Sequence, residues 1–243
     1  MLRMFASALA VALFLVAPGT GRAENIANAT LEESSPTADI STAEMRRIIK
    51  DGSAIILDSR TVAEFDAGHI AGATLVDRTS DSNVETVGKI TGGDKAKRLV
   101  IYCNGPFCQA SRKLAAELAK AGYTSVTRYQ LGLPVWRALG GAVAIERDGI
   151  ARVLKDDRSA IFIDVRSASE FAAGTLPGAL NIGSNDLKSA KLPEDDFNRR
   201  IILFGVDSAQ ARQAAEVMSS RPWHNVSYYP GLFDSLRAVV AKR

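Results

Sequence analysis

Cysteine and histidine are scarce in this chain, with two of each among 243 residues. A structural zinc site usually combines four cysteine or histidine ligands, and a small disulfide scaffold needs several cysteine pairs. The composition therefore excludes a disulfide framework and predicts a fold that rests on its apolar cores. Both cysteines, Cys103 and Cys108, lie close together, which favours a chemical role over an architectural one.

A long apolar run is also lacking. The longest, from Phe5 to Val16, has 12 residues, whereas a membrane-spanning helix needs about 20. Arg3 precedes this run, and small residues follow it at Gly21 and Ala23. This pattern is typical of a secretory signal peptide and favours it over a membrane anchor. We expect residues 1–23 to be a signal peptide that is cleaved after Ala23, so that the protein is exported, to the periplasm.

A strong excess of one charge is absent as well. The formal net charge is +3, and loss of residues 1–23 lowers it to +1. This balance predicts no nucleic-acid partner and, after cleavage of the signal peptide, no membrane partner. Residues 24–38 are rich in Glu, Ser, Asn, Thr and Pro, which predicts a flexible leader.

One long segment occurs twice. Residues 58–73 have the sequence DSRTVAEFDAGHIAGA, and residues 164–179 have DVRSASEFAAGTLPGA, at a constant offset of 106 residues. A repeat of this length indicates two copies of one domain. We predict domain 1 over residues 39–145 and domain 2 over residues 146–243.

Short apolar runs alternate with helical patterns in both copies. Runs of this kind are typical of strands buried on both faces of a parallel sheet. Predicted strands are 54–57, 99–102, 126–129, 160–163, 201–204 and 226–229. Predicted helices are 61–67, 111–121, 134–139, 210–218 and 232–240, with a further helix capped at Ser41 by a capping box to Glu44 and another capped by Asp148. Residues 78–97 and 183–198 are predicted to be polar connections. The fold class is therefore α/β.

Three segments carry a resemblance to a known family. The repeated segment at 58–73, the sequence YCNGPFC at 102–108 and the sequence GLPVW at 132–136 resemble the rhodanese (sulfurtransferase) superfamily. The resemblance implies two tandem α/β/α domains, each with a central, mostly parallel sheet. It also implies transfer of a sulfane sulfur through a cysteine persulfide, without a metal, nucleotide or flavin cofactor. The donor would be thiosulfate, a polysulfide or a persulfide, and the acceptor a small thiol, cyanide or a protein thiol.

Cys103 is the predicted nucleophile because it follows a buried strand and shortly precedes a helix. Loop amides and the positive end of a helix dipole favour a thiolate there. The predicted substrate-binding residues are the rest of this loop: Asn104, Gly105, Pro106, Phe107, Cys108 and Gln109. Because residues 104–109 include no Lys or Arg, thiosulfate would depend on backbone amides, with Arg112 as the nearest basic residue.

Cys108 leaves two alternatives open. It could resolve the Cys103 persulfide by forming an intramolecular disulfide and releasing sulfide, or it could be a passive loop residue. Asp58 and Arg60 are predicted to support the structure as a charge-assisted pair, because Asp164 and Arg166 repeat them in the copy without a cysteine. The same argument covers Glu64. His69 is not expected to be a general base, because Thr175 replaces it in the second copy.

The second copy has Gly205 after the strand that corresponds to 99–102, and its loop is two residues shorter. We therefore expect it to be inactive. Three other functions compete with sulfur transfer. Thiol–disulfide redox chemistry could use Cys103 and Cys108, and a non-enzymatic binding protein could use the fold alone. Phosphatase chemistry would need a longer loop that ends in an arginine, but position 109 is Gln.

Overall fold

The computed structural model describes residues 37–193 and 195–240. The predicted signal peptide and residues 24–36 of the predicted leader lie outside the described residues. Within this part of the chain, no helix is long and apolar enough to cross a membrane.

The first copy alternates strands and helices. Its elements are α1 (Thr42–Asp51), β1 (Ile55–Asp58), α2 (Val62–Ala67), β2 (His69–Ile70), β3 (Thr74–Leu75), α3 (Asn83–Thr91), β4 (Leu99–Tyr102), α4 (Gln109–Lys120), β5 (Val126–Tyr129) and α5 (Gly132–Ala138).

The second copy follows the same plan. Its elements are β6 (Val143–Ala144), α6 (Arg147–Asp156), β7 (Ile161–Asp164), α7 (Ala168–Ala172), β8 (Leu180–Asn181), β9 (Ile201–Phe204), α8 (Ser208–Ser219), β10 (Val226–Tyr228) and α9 (Phe233–Val240).

Each copy contains its own mostly parallel sheet. The first sheet has the order β3-β1-β4-β5, with every pair parallel. The second has the order β2-β6-β10-β9-β7-β8, in which only the β2–β6 pair is antiparallel. The predicted α/β class with two tandem domains is therefore confirmed.

Alternating side chains of the central strands build two cores in the first copy. One core, on the side of α1 and α5, includes Ile56, Val100 and Tyr102. The other, on the side of α3 and α4, includes Leu57, Leu99 and Ile101. Successive strand residues point to opposite faces of the sheet. A continuous apolar run therefore gives the sheet two apolar faces, and helices pack on both. The second sheet has the same two-sided arrangement.

Three of the differences between the structure and the predicted elements concern helices. Helix α3 occupies part of the predicted polar connection 78–97, and it buries Val87 in the core of the first copy. Helix α4 begins at Gln109, two residues before the predicted start, because the loop after Cys103 is short. Helix α6 begins at Arg147 with Glu146 at its N-cap, so the expectation that Asp148 caps it is wrong.

The α1 cap is only partly as predicted. The Ser41 hydroxyl accepts a hydrogen bond from the Glu44 amide, as a capping residue does. The Glu44 carboxylate, however, binds Arg47 and Arg98. Complete capping boxes lie instead at the start of α2, between Thr61 and Glu64, and at the start of α7.

Strand β2 joins the two copies. It follows α2 in the first copy, yet it pairs with β6 at the edge of the second sheet, with His69 opposite Ala144 and Ile70 opposite Val143. Strand β6 in turn pairs with β10 of the second copy. The copies therefore share backbone hydrogen bonds, and the chain between them is built into the second sheet. The domain boundary at 145/146 stays a prediction.

A buried ion pair lies at the end of β1 in the first copy and at the end of β7 in the second. Asp58 is fully buried and accepts hydrogen bonds from the Arg60 guanidinium and from the Tyr102 hydroxyl. Arg60 also donates to the Gly68 carbonyl, at 2.7 Å, and the Tyr102 oxygen accepts from the Ile70 amide, at 3.0 Å. Burial, reinforced by the Asp58 charge, raises the pKa of Tyr102 well above its ordinary value. These contacts fix the turn between α2 and β2.

The second copy satisfies the same carboxylate with a different donor. Arg166 binds Asp164 and the Gly174 carbonyl, as Arg60 does in the first copy. Phe204 stands in the place of Tyr102 and has no hydroxyl, and the Thr175 hydroxyl donates to Asp164 at 2.7 Å instead. The repeated pair thus keeps its full set of partners in both copies.

Replacing Tyr102 with phenylalanine should lower the free energy of unfolding by about 1–3 kcal/mol. The change removes one of the hydrogen bonds to Asp58, which keeps those from Arg60, and it leaves the amide of Ile70 without its buried partner. Denaturation in urea measures the effect. Tyr123→Phe is the matched control, because the Tyr123 hydroxyl has only a 3.4 Å contact with Thr91. Equal losses in the two variants would contradict the importance of the Asp58 network.

Candidate functional site

The first residue after β4 is Cys103, and it is buried, with 1% of its surface exposed. The loop of residues 104–108 separates it from α4. Loops at the carboxyl ends of parallel strands are the usual place for binding sites in α/β folds. The structure therefore places the predicted nucleophile at the edge of the sheet where function is expected.

Cys103 and Cys108 form a disulfide, with their Cα atoms 6.1 Å apart. Cys108 is the N-cap residue of α4 and is partly exposed, whereas Cys103 is buried. The loop therefore brings both thiols together at the start of a helix. In this state Cys103 is not free to attack a substrate.

Two glycines shape the loop. Gly105 has a φ of 132°, a conformation that side chains rarely adopt. Gly132, at the start of α5, lies against the backbone of Cys103 and Gly105, where a Cβ atom would collide with both. The Leu133 amide donates to the Cys103 carbonyl at 3.1 Å. The GLPVW segment therefore packs directly against the backbone of the loop.

The start of α4 has no side-chain cap. Cys108, at the N-cap position, makes no side-chain hydrogen bond to the first turn of this 12-residue helix. The first amides of a helix carry partial positive charge and favour an anion. Because Cys103 bonds to the N-cap sulfur, a thiolate at Cys103 would lie at this positive end.

Glu64 connects α2 to the loop. One carboxylate oxygen accepts a hydrogen bond from the Asn104 side chain at 2.6 Å, and the other binds the Thr61 amide and hydroxyl. Arg78 lies 3.4 Å from the same carboxylate. Burial raises the pKa of Glu64, but the hydrogen bonds from Thr61 and Asn104 and the Arg78 charge outweigh it and lower the pKa to about 2.

A cavity of about 370 Å³ opens beside Cys108. Its lining includes Arg78 from the loop after β3, and Gln109 and Lys113 from α4. Of the other predicted binding residues, Gly105 is buried, Pro106 is partly buried, and Asn104 and Phe107 are exposed. The cavity supplies the basic side chains that residues 104–109 lack.

Arg112, the basic residue expected to assist, faces another part of the molecule. Its charge acts on Asp39 and on Arg128, whose pKa values it lowers. The dominant effect on both groups is burial, which raises the pKa of Asp39 and lowers that of Arg128. Arg78 and Lys113, which sequence reasoning did not select, line the cavity instead.

The corresponding place in the second copy is filled. The Gln210 side chain accepts from the Val206 amide at 2.9 Å, and a Cβ atom on Gly205 would collide with it. The Asp207 carboxylate caps α8 by accepting from the Gln210 amide at 2.9 Å. This copy therefore has neither a thiol nor a free helix start at the site.

His69 lies at the junction between the copies. Its ring stacks on Phe65 with centroids 3.7 Å apart, and its Nδ1 is 3.0 Å from the Phe65 carbonyl oxygen. Its Nε2 lies 3.7 Å from Glu146 of the second copy. Burial lowers the pKa of His69. These contacts hold His69 between α2 of the first copy and Glu146 of the second.

Replacing Glu64 with glutamine should reduce stability in a pH-dependent way. The pKa of Glu64 lies at about 2, below its ordinary value of 4.5, so its contribution is present above pH 4.5 and is lost as the pH falls towards 2. The stability difference between wild type and Glu64→Gln should therefore shrink over that interval, in denaturant titrations at several pH values. Glu170→Gln is the control for the capping contacts, since Glu170 makes the same hydrogen bonds to Ser167 at the start of α7, and these also lower its pKa. The pH dependence at Glu64 should exceed that of the control, because the Asn104 and Arg78 contacts add to it. A difference that stays constant with pH would contradict the role assigned to Glu64.

The chain is similar to several known proteins. A human thiosulfate:glutathione sulfurtransferase is 44% identical over 52 residues, which cover 21% of this chain, and the chain spans 44% of that relative. A thiosulfate sulfurtransferase from Pseudomonas aeruginosa is 22% identical, with a TM-score of 0.37, over 82% of this chain and 44% of that one. A 3-mercaptopyruvate sulfotransferase from Escherichia coli is 20% identical, with a TM-score of 0.34, over 81% of this chain and 98% of that one.

The family match covers both copies. A model described as the rhodanese-like domain matches residues 41–139 and again residues 150–238. Each range contains the buried strand, the loop and the following helix described above. The predicted family and its tandem arrangement are thereby confirmed: the chain belongs to the rhodanese-like domain family and carries two copies of that domain.

Proposed function

We propose that this protein is an exported sulfurtransferase that moves a sulfane sulfur from a donor to a thiophilic acceptor through a persulfide on Cys103. The observation that carries the proposal is the position of Cys103, between buried strand β4 and the uncapped start of α4. The second copy, without a cysteine, has a capped helix at the same place. The similarity to a human thiosulfate:glutathione sulfurtransferase supports this type of chemistry.

The cycle starts from the reduced protein. The Cys103 thiolate attacks the outer sulfur of the donor, which is thiosulfate, a polysulfide or a persulfide. A bond forms between the two sulfurs, and the rest of the donor leaves with the electron pair of the broken bond, as sulfite in the case of thiosulfate. A small thiol, cyanide or a protein thiol then takes the outer sulfur, and the Cys103 thiolate returns. The amides at the start of α4 favour both anionic states of this sulfur.

Cys108 gives the persulfide a second outcome. Its thiolate can attack the inner sulfur of the Cys103 persulfide, which forms the Cys103–Cys108 bond and releases hydrosulfide. The disulfide between these residues supports this resolving role over a passive one, because it has the connectivity of that product. A thiol reductant must then restore the dithiol before the next cycle.

Thiol–disulfide redox chemistry is the second candidate, and the same disulfide favours it. In that function Cys103 and Cys108 would exchange electrons with a partner thiol without handling sulfane sulfur. Export would favour this second candidate, because disulfides persist in oxidising compartments.

We propose the periplasm as the location, on the strength of the apolar run from Phe5 to Val16 and the small residues that follow it. Sequencing of the secreted form should then find Glu24 at its N-terminus, and retention of residues 1–23 would contradict cleavage.

Incubation of the reduced protein with thiosulfate, and separately with polysulfide, should add the mass of one sulfur atom. Intact-mass spectrometry measures the change, and cyanide should reverse it. Cys103→Ser should lose the adduct completely, because the second copy has no thiol to replace it. Cys108→Ser should keep the adduct and accumulate more of it, because no neighbouring thiol resolves it.

Other results would select other functions. Loss of two hydrogens together with release of hydrosulfide, abolished in both variants, would establish the resolving role of Cys108. Formation of the disulfide without any transfer of sulfur would favour the redox protein. Absence of any covalent change with either donor would contradict both enzymatic functions and leave a binding protein.

A further inference from the structure

The two sulfurs of the disulfide differ in their access to solvent. Cys103 is 1% exposed at the end of β4. Cys108 is partly exposed and lines the cavity of about 370 Å³ that α4 and the loop after β3 enclose. Access decides which sulfur of a disulfide an incoming thiolate attacks. A thiolate that enters this cavity therefore meets Cys108 first.

The leaving sulfur is stabilised at the same place. When a thiolate attacks Cys108, the Cys103 sulfur leaves beside the uncapped start of α4, where the helix dipole favours an anion. Because Cys108 is the N-cap residue of this helix, the dipole favours either sulfur as the leaving thiolate, and access therefore decides which one is attacked.

The cavity also has a charge preference. Arg78 lies at one side, 3.4 Å from Glu64, and Lys113 lies at another, in a loose 3.9 Å contact with Glu117. Glu117 is the one carboxylate among the described lining residues, which do not include Glu64, so two basic side chains face the cavity against one acidic one. The dipole of α4 adds to the positive side. An acidic thiol is therefore favoured over a basic one.

We propose that the cavity is the entry site for a small, carboxylate-bearing thiol that reduces the disulfide by attacking Cys108. The new bond joins the incoming sulfur to Cys108, the Cys103–Cys108 bond breaks, and its electron pair stays on Cys103 as a thiolate. A second molecule of the thiol then attacks the mixed disulfide, which releases Cys108 and forms the oxidised dimer of the thiol. This inference rests on the proposed function only in taking Cys103 as the thiol that must be freed.

The site of attack can be read directly from one peptide. The oxidised protein is mixed briefly with excess 3-mercaptopropionate, quenched in acid and alkylated with N-ethylmaleimide. Trypsin releases residues 99–112, which contain both cysteines and no internal Lys or Arg. Fragment ions from between the cysteines should place the mercaptopropionate on Cys108 and the maleimide on Cys103. The reverse placement would overturn the proposal, whatever the outcome of the sulfur-transfer assay.

The charge preference has its own test. Initial rates of disulfide reduction are compared for 3-mercaptopropionate and for cysteamine, which are of similar size and opposite charge. Arg78→Gln and Lys113→Gln should each lower the ratio of these rates about two- to fivefold, and added salt should lower it in the wild type. Lys120→Gln, at the far end of the same helix, should leave the ratio unchanged. A ratio that does not respond to either cavity substitution would overturn the assignment of an acidic thiol.

Discussion

Both copies depend on a buried ion pair, which lies at the end of β1 in the first copy and at the end of β7 in the second. A carboxylate without exposure to water is tolerated only when donors surround it, and Arg60 and Arg166 supply them two residues along the chain. Each arginine also binds a backbone carbonyl of the turn that follows, at Gly68 and Gly174. The pair therefore fixes the strand end and the turn as one body. In the first copy that turn leads into β2, so the same pair also sets the position of the strand by which the first copy adds to the second sheet.

The two copies share this ion pair but differ in the loop and helix start that follow β4 and β9. The first copy leaves the start of α4 open beside two cysteines and uses Glu64 to bind the loop through Asn104. The second copy closes the same place with Gln210 and caps its helix. The first copy keeps an uncapped helix start beside its two cysteines, whereas the second copy caps the corresponding helix.

The disulfide connects the chemistry of the site to its surroundings. Burial protects Cys103 and places its sulfur at the helix start, whereas Cys108 is the member of the pair that meets the cavity. The predicted nucleophile Cys103 is blocked while it is bonded to Cys108, and reduction of that bond would free it. The order of events at the site would then follow from access alone, without movement of the core.

Local signals in the sequence determined the α/β class, the duplication and most strands, and they predicted Cys103 as the nucleophile. Buried strands such as 99–102 and 201–204 are continuous apolar runs, and a run of this kind needs no knowledge of its neighbours. The tertiary structure alone decided which side chains meet. Arg78 and Lys113 lie 35 residues apart in the chain and share one cavity, and β2 leaves its own copy for the other sheet. Such contacts depend on how separate elements pack, and the residues that form them carry no pattern along the chain.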